Sequence, residues 1–141
     1  MNGKLLAVLR QDIDAFEEKI YEFTNDGNSC VIYDAKPPRY WFNYLWNENG
    51  YCAQVSQNGH GRSYYLNERA DMCMINNNDA RYFYIRDDET NKSWNIGAAP
   101  LNEQVESYQC EHSIGFSRLQ SECQGIESSW SIFVPQTGFQ E

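Results

Sequence analysis

The chain has 141 residues, of which 41% are hydrophobic and 15% aromatic, and its formal net charge at pH 7 is -9. This length supports one sizeable core and therefore predicts a single domain. The negative charge disfavours nucleic acid and anionic membranes as partners, because both would be repelled over most of the surface. No run approaches the roughly 20 apolar residues that cross a bilayer, and the first residues lack a signal-peptide pattern, so we predict a cytoplasmic protein.

Residues 1–23 have a pattern typical of an amphipathic helix. Apolar side chains recur at helical spacing, and acidic residues occupy the other side. The apolar positions are Leu5, Leu6, Leu9, Ile13, Phe16 and Ile20. The run Asn25–Asn28 tolerates left-handed turns and ends the predicted helix. We therefore divide the chain into an N-terminal helical extension, residues 1–23, and a β-sandwich domain, residues 24–141.

Beyond the predicted helix, aromatic and β-branched residues form short runs separated by turn-forming clusters of Asn, Asp, Gly and Pro. The predicted strands are Cys30–Tyr33, Tyr40–Trp46, Tyr51–Ser56, Arg62–Leu66, Arg81–Arg86, Tyr108–Phe116 and Ile126–Val134. Strands joined by such short turns pair antiparallel. The last run alternates apolar and polar residues, which indicates a sheet with one solvated face. The pattern predicts a mainly all-β fold, an antiparallel β-sandwich of about seven strands.

The cysteines are scattered, odd in number and never spaced as CxxC, which argues against a disulfide framework and a structural zinc site. We interpret them as buried reduced thiols; they are Cys30, Cys52, Cys73, Cys110 and Cys123. Cys110 and His112 point to the same side of a predicted strand, so a thiolate pair or half a metal site is the less favoured alternative. We predict no bound metal.

The charged and nucleophilic residues do not predict a catalytic centre. Asp87, Asp88 and Glu89 are adjacent, which is typical of a solvated hairpin turn, whereas glycoside hydrolysis needs two carboxyl groups facing each other across a sugar. His60 lies in a glycine-bracketed loop, and His112 is predicted to be a packing residue on a strand face. The chain also lacks a glycine-rich phosphate loop and a GxSxG nucleophile elbow.

Aromatic surface is the remaining candidate for function. The run Tyr40–Trp46 contains five aromatic residues, and alternation along a strand sends Tyr40, Phe42 and Tyr44 to the face opposite that of Trp41, Asn43 and Leu45. Aromatic rings stack on the apolar faces of sugars and also fill cores and interfaces. The candidate carbohydrate-binding residues are Tyr40, Trp41, Tyr44, Trp46, His60, Arg62, Tyr64 and Tyr65.

Several segments together resemble one known family. They are Pro37-Pro38 followed by Phe42–Leu45, the glycine-containing loop Gly59–Tyr64, the RYFYIRD run from Arg81 with Trp94 after it, and the ESYQCEHSIGF run from Glu106. On these segments the chain resembles the N-terminal domain of the β-glycoside phosphorylases of glycoside hydrolase family 94, typified by cellobiose phosphorylase. The resemblance covers residues 33–135 and is most specific from Arg81 onward. Glu111 stands where a basic residue is usual and Ser113 where glycine is common.

The resemblance implies a partial supersandwich of the galactose-mutarotase type. Enzymes of the family cleave a β-glycosidic bond with inorganic phosphate as co-substrate and invert the anomeric centre, while one carboxylic acid protonates the departing oxygen. Their acid and phosphate site belong to a later (α/α)6 barrel, so the resemblance implies that this chain alone is inactive and takes no cofactor. The implied partners are that catalytic domain or a second subunit, a homo-oligomeric assembly and a β-linked gluco-oligosaccharide.

The leading prediction is a non-catalytic N-terminal module of an inverting, cellobiose phosphorylase-like glycosyltransferase. Such a module would contribute to enclosure of the carbohydrate site and to dimerisation. Two alternatives stay open. One is a free-standing carbohydrate-binding domain, and the other is a structural or interaction module without sugar binding, whose N-terminal helix and exposed aromatic residues cover a partner.

Overall fold

The computed structural model describes residues 19–76 and 81–141. This part of the chain contains eleven β-strands and one short 3-10 turn, Asn25–Gly27. The strands are β1 (Tyr21–Thr24), β2 (Ser29–Ile32), β3 (Phe42–Trp46), β4 (Tyr51–Ser56), β5 (Ser63–Leu66), β6 (Met72–Asn76), β7 (Tyr84–Asp87), β8 (Lys92–Asn95), β9 (Ser107–Ser113), β10 (Phe116–Cys123) and β11 (Ile126–Phe133).

The strands form two main sheets and a separate pair. The first sheet has five strands in the order β1-β2-β9-β10-β11, and the second sheet has four in the order β3-β4-β5-β6. Strands β7 and β8 form a two-stranded ribbon. All of these pairs are antiparallel. The predicted all-β antiparallel architecture is confirmed, with more strands than the sequence indicated.

The two sheets share one core. Its buried members come from both sheets, with Ile96 added from the segment just after β8, and are Ile32, Leu45, Tyr51, Ala53, Val55, Ile96, Cys110, Leu119 and Ile132. Strand β4 lies inside the second sheet, and its odd-numbered residues face this core. Removing apolar surface from water contributes about 25 cal/mol for each Å² buried, so this contact between the sheets is the main stabilising feature of the fold.

A polar contact ties the edge strand of the second sheet to the first sheet. The Asn43 side-chain amide donates to the backbone carbonyls of Ser113 and Phe116, at 2.9 and 3.1 Å, and to Ser117 Oγ at 3.2 Å. These acceptors lie on both sides of the β9–β10 hairpin. One side chain on β3 therefore satisfies the carbonyls of a turn whose sequence lies in the ESYQCEHSIGF run.

The predicted N-terminal helix lies mostly outside the described residues, since the description starts at residue 19. The prediction that it extends to residue 23 is wrong. Tyr21–Thr24 is strand β1, in which Tyr21 pairs with Ile32 and Phe23 with Cys30. Pairing with β2 satisfies the backbone of this segment, and tertiary contacts of this kind override the local helical periodicity.

Other strand predictions succeeded or failed for identifiable reasons. Strand β4 has the predicted bounds, and Asp87–Asn91 forms the predicted turn, between β7 and β8. The predicted strand Tyr108–Phe116 is correct up to Ser113 and wrong beyond it, because the chain reverses after β9 and begins β10 at Phe116. Strands β1, β6, β8 and β10 were not predicted.

The cysteines are free, as predicted. Cys52, Cys110 and Cys123 are buried, whereas Cys30 and Cys73 are half-buried. Burial raises the pKa of the Cys30 and Cys123 thiols, because the low-dielectric interior disfavours the thiolate. Elevated pKa values reduce the nucleophilic thiolate fraction at neutral pH.

Candidate functional site

An aromatic cleft opens at one corner of the second sheet. Its volume is about 440 Å³. It is lined by Tyr40, Phe42, Gln54, His60, Gly61, Arg62 and Tyr82. The lining combines apolar rings with amide, imidazole and guanidinium groups. This combination suits a ligand that has both apolar faces and hydroxyl groups.

The aromatic side chains of the cleft form a connected series. The ring centroids of Phe42 and Tyr40 are 6.1 Å apart, and those of Tyr40 and His60 are also 6.1 Å apart. Tyr82 packs edge-on against the His60 ring at 4.7 Å. Tyr40 and Phe42 remain 55% and 40% exposed, so their faces are available to a ligand.

Backbone pairing fixes the loop that carries His60. The Ser56 amide donates to the His60 carbonyl at 2.7 Å, and the Gln54 amide donates to the Arg62 carbonyl at 2.8 Å. Gln57 also holds the loop in place, because its buried side-chain oxygen accepts a hydrogen bond from the Trp41 backbone amide at 2.9 Å. The Tyr108 hydroxyl donates to the Gln57 carbonyl. The loop is therefore held to both sheets.

Arg81 positions Tyr82, which forms one wall of the cleft. Its guanidinium donates to the Gln54 carbonyl at 2.9 Å and to Ser63 Oγ at 2.7 Å. Its Nε also pairs with the Glu141 carboxylate at 2.6 Å. The Arg81 side chain is only 10% exposed, so these contacts are shielded from water. Tyr82 follows directly and is thereby placed against His60.

The structure brings together three of the residues predicted to bind carbohydrate. Tyr40, His60 and Arg62 line the cleft. Tyr44 lies beside the cleft, because its hydroxyl accepts a hydrogen bond from the side-chain amide of Gln54 at 3.2 Å. Trp46 is on the same face of β3 and is 75% exposed.

Tyr64 shares the outer face of the second sheet with Trp46, since Cys52 pairs with both residues. A contact with Cys52 and partial burial raise the pKa of Tyr64 to about 12. Its hydroxyl therefore stays protonated at neutral pH.

The two other predicted residues lie apart from the cleft. Trp41 packs against the core, and its ring lies 4.7 Å from the Tyr21 ring. Tyr65 also packs against the core and contacts Phe139 edge-on at 5.2 Å. Strand alternation accounts for both placements.

The predicted binding residues lack four that line the cleft: Phe42, Gln54, Gly61 and Tyr82. Phe42 could have been found, because it alternates in register with Tyr40 and Tyr44. Gln54 and Tyr82 carry no such signal, since their role depends on the approach of β4 and the segment before β7.

His112 is a packing residue, as predicted. Its Nε2 lies 3.1 Å from the Trp41 carbonyl and its Nδ1 lies 2.9 Å from Ser117 Oγ. A carbonyl only accepts, so Nε2 donates and the neutral Nδ1 accepts from the serine hydroxyl. Burial is the main cause that lowers the pKa of His112, which favours this neutral form.

The other chemical candidates form no site in the described part of the chain. Asp87 accepts from the Glu89 amide at 2.9 Å and from the Thr90 hydroxyl at 2.6 Å, which is the predicted turn. These hydrogen bonds lower the pKa of Asp87. Among residues 19–76 and 81–141, no three His, Cys, Asp or Glu side chains gather as metal ligands. The same residues contain no helix long and apolar enough to cross a membrane.

Comparison with known proteins decides the family. Residues 28–138 match the model of the glycosyl hydrolase 94 supersandwich domain. The chain belongs to this family. The match covers all the described strands except β1, so the two sheets and the aromatic cleft are parts of a glycosyl hydrolase 94 supersandwich.

Glycosyl hydrolase 94 relatives include three phosphorylases. The chain is 38% identical over 119 residues to a 3-O-β-D-glucopyranosyl-β-D-glucuronide phosphorylase of Paenibacillus borealis, covering 84% of this chain and 15% of the relative. It is 32% identical over 129 residues to a solabiose phosphorylase of the same organism, covering 79% and 16%. It is 28% identical over 122 residues to an N,N'-diacetylchitobiose phosphorylase of Vibrio furnissii, covering 81% and 15%. The chain thus spans about 15% of the length of these relatives and matches their N-terminal region.

Several residues that carry the family resemblance serve the architecture. Asn43 ties β3 to the β9–β10 hairpin, Arg81 ties β4 and β5 to Glu141, and His112 joins β9 to the Trp41 backbone. In this chain, these side chains satisfy buried polar groups that would otherwise be left unpaired.

Proposed function

We propose that this chain is the supersandwich module of an inverting β-glycoside phosphorylase and is not itself catalytic. The observation that carries the proposal is the family match over residues 28–138, combined with relatives that are phosphorylases about five to six times as long as this chain. In the proposal a partner catalytic domain, an (α/α)6 barrel, supplies the acid. Inorganic phosphate is the attacking group, and the location is cytoplasmic.

The aromatic cleft gives the module a part in sugar recognition. Tyr40, Phe42 and Tyr82 offer ring faces for stacking on a pyranose, while Arg62 and Gln54 offer donors to its hydroxyl groups. No carboxylate is among the described residues that line this cleft, so we assign it binding and not proton transfer. The proposal places the cleft against the sugar site of the catalytic domain or of a second subunit in a homo-oligomer.

A phosphorolysis assay tests the proposal directly. With inorganic phosphate and cellobiose, solabiose, N,N'-diacetylchitobiose or 3-O-β-D-glucopyranosyl-β-D-glucuronide, we expect no sugar phosphate from this chain alone, because the acid lies in another domain. A full-length phosphorylase of the family serves as the positive control under the same conditions. Turnover above background with the purified chain would refute the non-catalytic role.

A free-standing carbohydrate-binding domain is the second candidate, and the exposed ring faces of Tyr40 and Phe42 favour it. If it is correct, β-linked gluco-oligosaccharides perturb the NMR signals of the cleft residues of the isolated chain. Tyr82→Ala is then expected to weaken binding by about tenfold, since loss of one stacking wall costs about 1.4 kcal/mol.

Phe133→Ala is the matched control for the binding experiment. Phe133 is 56% exposed, but it lies on β11 of the first sheet, away from the cleft. We expect this substitution to leave the affinity unchanged. The absence of perturbations at millimolar oligosaccharide, or equal losses in the two variants, would count against sugar binding by the cleft.

A further inference from the structure

The aromatic cleft continues as a row of exposed rings along β3. Alternation puts every second residue of this segment on the outer face of the second sheet, and each of these residues is aromatic. We call the row the aromatic track; it consists of Tyr40, Phe42, Tyr44 and Trp46, which are 55%, 40%, 54% and 75% exposed. Only Tyr40 and Phe42 line the cleft. Tyr44 and Trp46 therefore extend the aromatic surface beyond it.

The rings of the aromatic track stand above the strand beside them. Strand β4 pairs with β3, and its outward residues are Cys52, Gln54 and Ser56. Cys52 and Ser56 are buried, at 8% and 0% exposure, whereas the paired rings of β3 are open to solvent. On the far side of β4, Tyr64 pairs with Cys52 and adds a further ring. A ligand lying on the track therefore meets ring faces before it meets β4.

Neutral hydrogen-bonding groups accompany the rings. The Gln54 side-chain amide donates to the Tyr44 hydroxyl at 3.2 Å in the middle of the aromatic track, and that hydroxyl keeps its own proton to donate. The outward positions of β3 to β6 carry no charged side chain. A charged ligand would lose hydration on this face without gaining an opposite charge. The track therefore suits an uncharged ligand that has apolar faces and hydroxyl groups, as a pyranose does.

We propose that the aromatic track binds a linear, uncharged, β-linked gluco-oligosaccharide lengthwise, so that this domain holds a sugar chain longer than a disaccharide. Six residue steps separate Tyr40 from Trp46, which corresponds to about 20 Å of extended strand. A pyranose is similar in size to a phenyl ring, so the row offers more stacking positions than a disaccharide has units. The strand is extended, and an unbranched β-linked chain has a matching extended shape. This inference rests on the sugar-binding role proposed for the cleft.

Trp46 separates this inference from the proposed function. It lies four residues beyond Phe42, which is about 13 Å along the strand, and it does not line the cleft. A disaccharide held between Tyr40 and Tyr82 therefore leaves the Trp46 indole in water. A longer chain that follows β3 from the cleft reaches it, and stacking on the indole then adds to the affinity.

Titration of the full chain with cellobiose and with cellohexaose tests the inference. We expect cellohexaose to bind about thirtyfold more tightly, because Tyr44 and Trp46 add two stacking contacts. The indole NMR signal of Trp46, assigned with Trp46→Phe, is expected to shift with cellohexaose and not with cellobiose. Trp46→Ala is expected to weaken cellohexaose binding about fivefold or more and to leave cellobiose binding unchanged.

Met72→Ala is the matched control. Met72 is 60% exposed on the same face of the sheet, but it lies on β6, away from the aromatic track, so we expect both affinities to stay unchanged. Equal affinities for the two sugars, with an unshifted Trp46 signal, would overturn the inference and leave the proposed role of the cleft intact. Binding of neither sugar would overturn both. A dimer in light scattering that Trp46→Ala dissociates would also overturn the inference, because a second copy would then occupy the track.

Discussion

Replacing Gly61 with alanine is expected to lower the free energy of unfolding by about 3 kcal/mol or more. A Cβ atom at this position would lie 1.8 Å from the Gln54 carbonyl oxygen, and the residue has φ of 144°. The obstructing atom belongs to the backbone of central strand β4, so it cannot move without breaking pairing with neighbouring strands. Urea unfolding at 25 °C measures the loss.

Gly115→Ala is the control for this prediction. Gly115 also has a positive φ, 93°, but an added Cβ would meet nothing within 4 Å. We expect it to cost about 1 kcal/mol, the usual penalty of the left-handed region alone. If the two variants lose the same stability, the contact between Gly61 and β4 is not the reason that glycine is needed there.

Replacing Asn47 with alanine is expected to cost about 2–4 kcal/mol. Its buried side chain donates to the carbonyls of Pro135 and Gly138, both at 2.9 Å, and accepts from the amides of Asn49 and Tyr51 at 3.1 and 3.2 Å. Alanine leaves these groups without that partner and removes two of the hydrogen bonds that hold the C-terminal segment to the β3–β4 turn. Thermal or urea unfolding measures the change.

Asn67→Ala is the matched control for Asn47→Ala. Asn67 holds the β5–β6 turn in the same way, accepting from the amides of Arg69 and Asp71 at 2.9 Å. Water can take the place of the Asn67 side chain as hydrogen-bond acceptor at this exposed turn. We therefore expect the free energy of unfolding to fall by about 1 kcal/mol or less. Comparable losses at Asn47 and Asn67 would show that the C-terminal contacts add nothing to stability.

The sequence predicts the fold best where one face of a strand is apolar and the other polar. Tyr51–Ser56 was predicted with its observed bounds, and the alternation of Tyr40–Trp46 predicted that two sets of side chains lie on opposite faces, of which the exposed set contains Tyr40, Phe42 and Tyr44. Strand β10 was not predicted because most residues of its sequence, FSRLQSEC, are polar. Its Ser117 and Ser121 are buried and face the interior, so burial here does not follow hydrophobicity.

Only those parts of the candidate site whose residues lie close together in the sequence could be predicted. Tyr40 and His60 could be proposed because an aromatic run and a glycine loop are visible in sequence. That Tyr82 meets His60 depends on Arg81, whose contacts reach 18 to 60 residues along the chain. Trp41 and Tyr65 were included because aromatic residues suit both sugar faces and cores, and only the observed packing separates the two uses.

The ribbon of β7 and β8 belongs to neither main sheet, and a two-stranded ribbon is marginally stable in isolation. The ribbon carries Trp94, which is 1% exposed, and Arg81 makes its hydrogen bonds with Gln54 and Ser63 at the base of the ribbon. Tyr82 stands at that base, so local unfolding of the ribbon would dismantle one wall of the cleft. A molecule bound between Tyr40 and Tyr82 is therefore expected to shift the opening equilibrium of the ribbon toward the closed form.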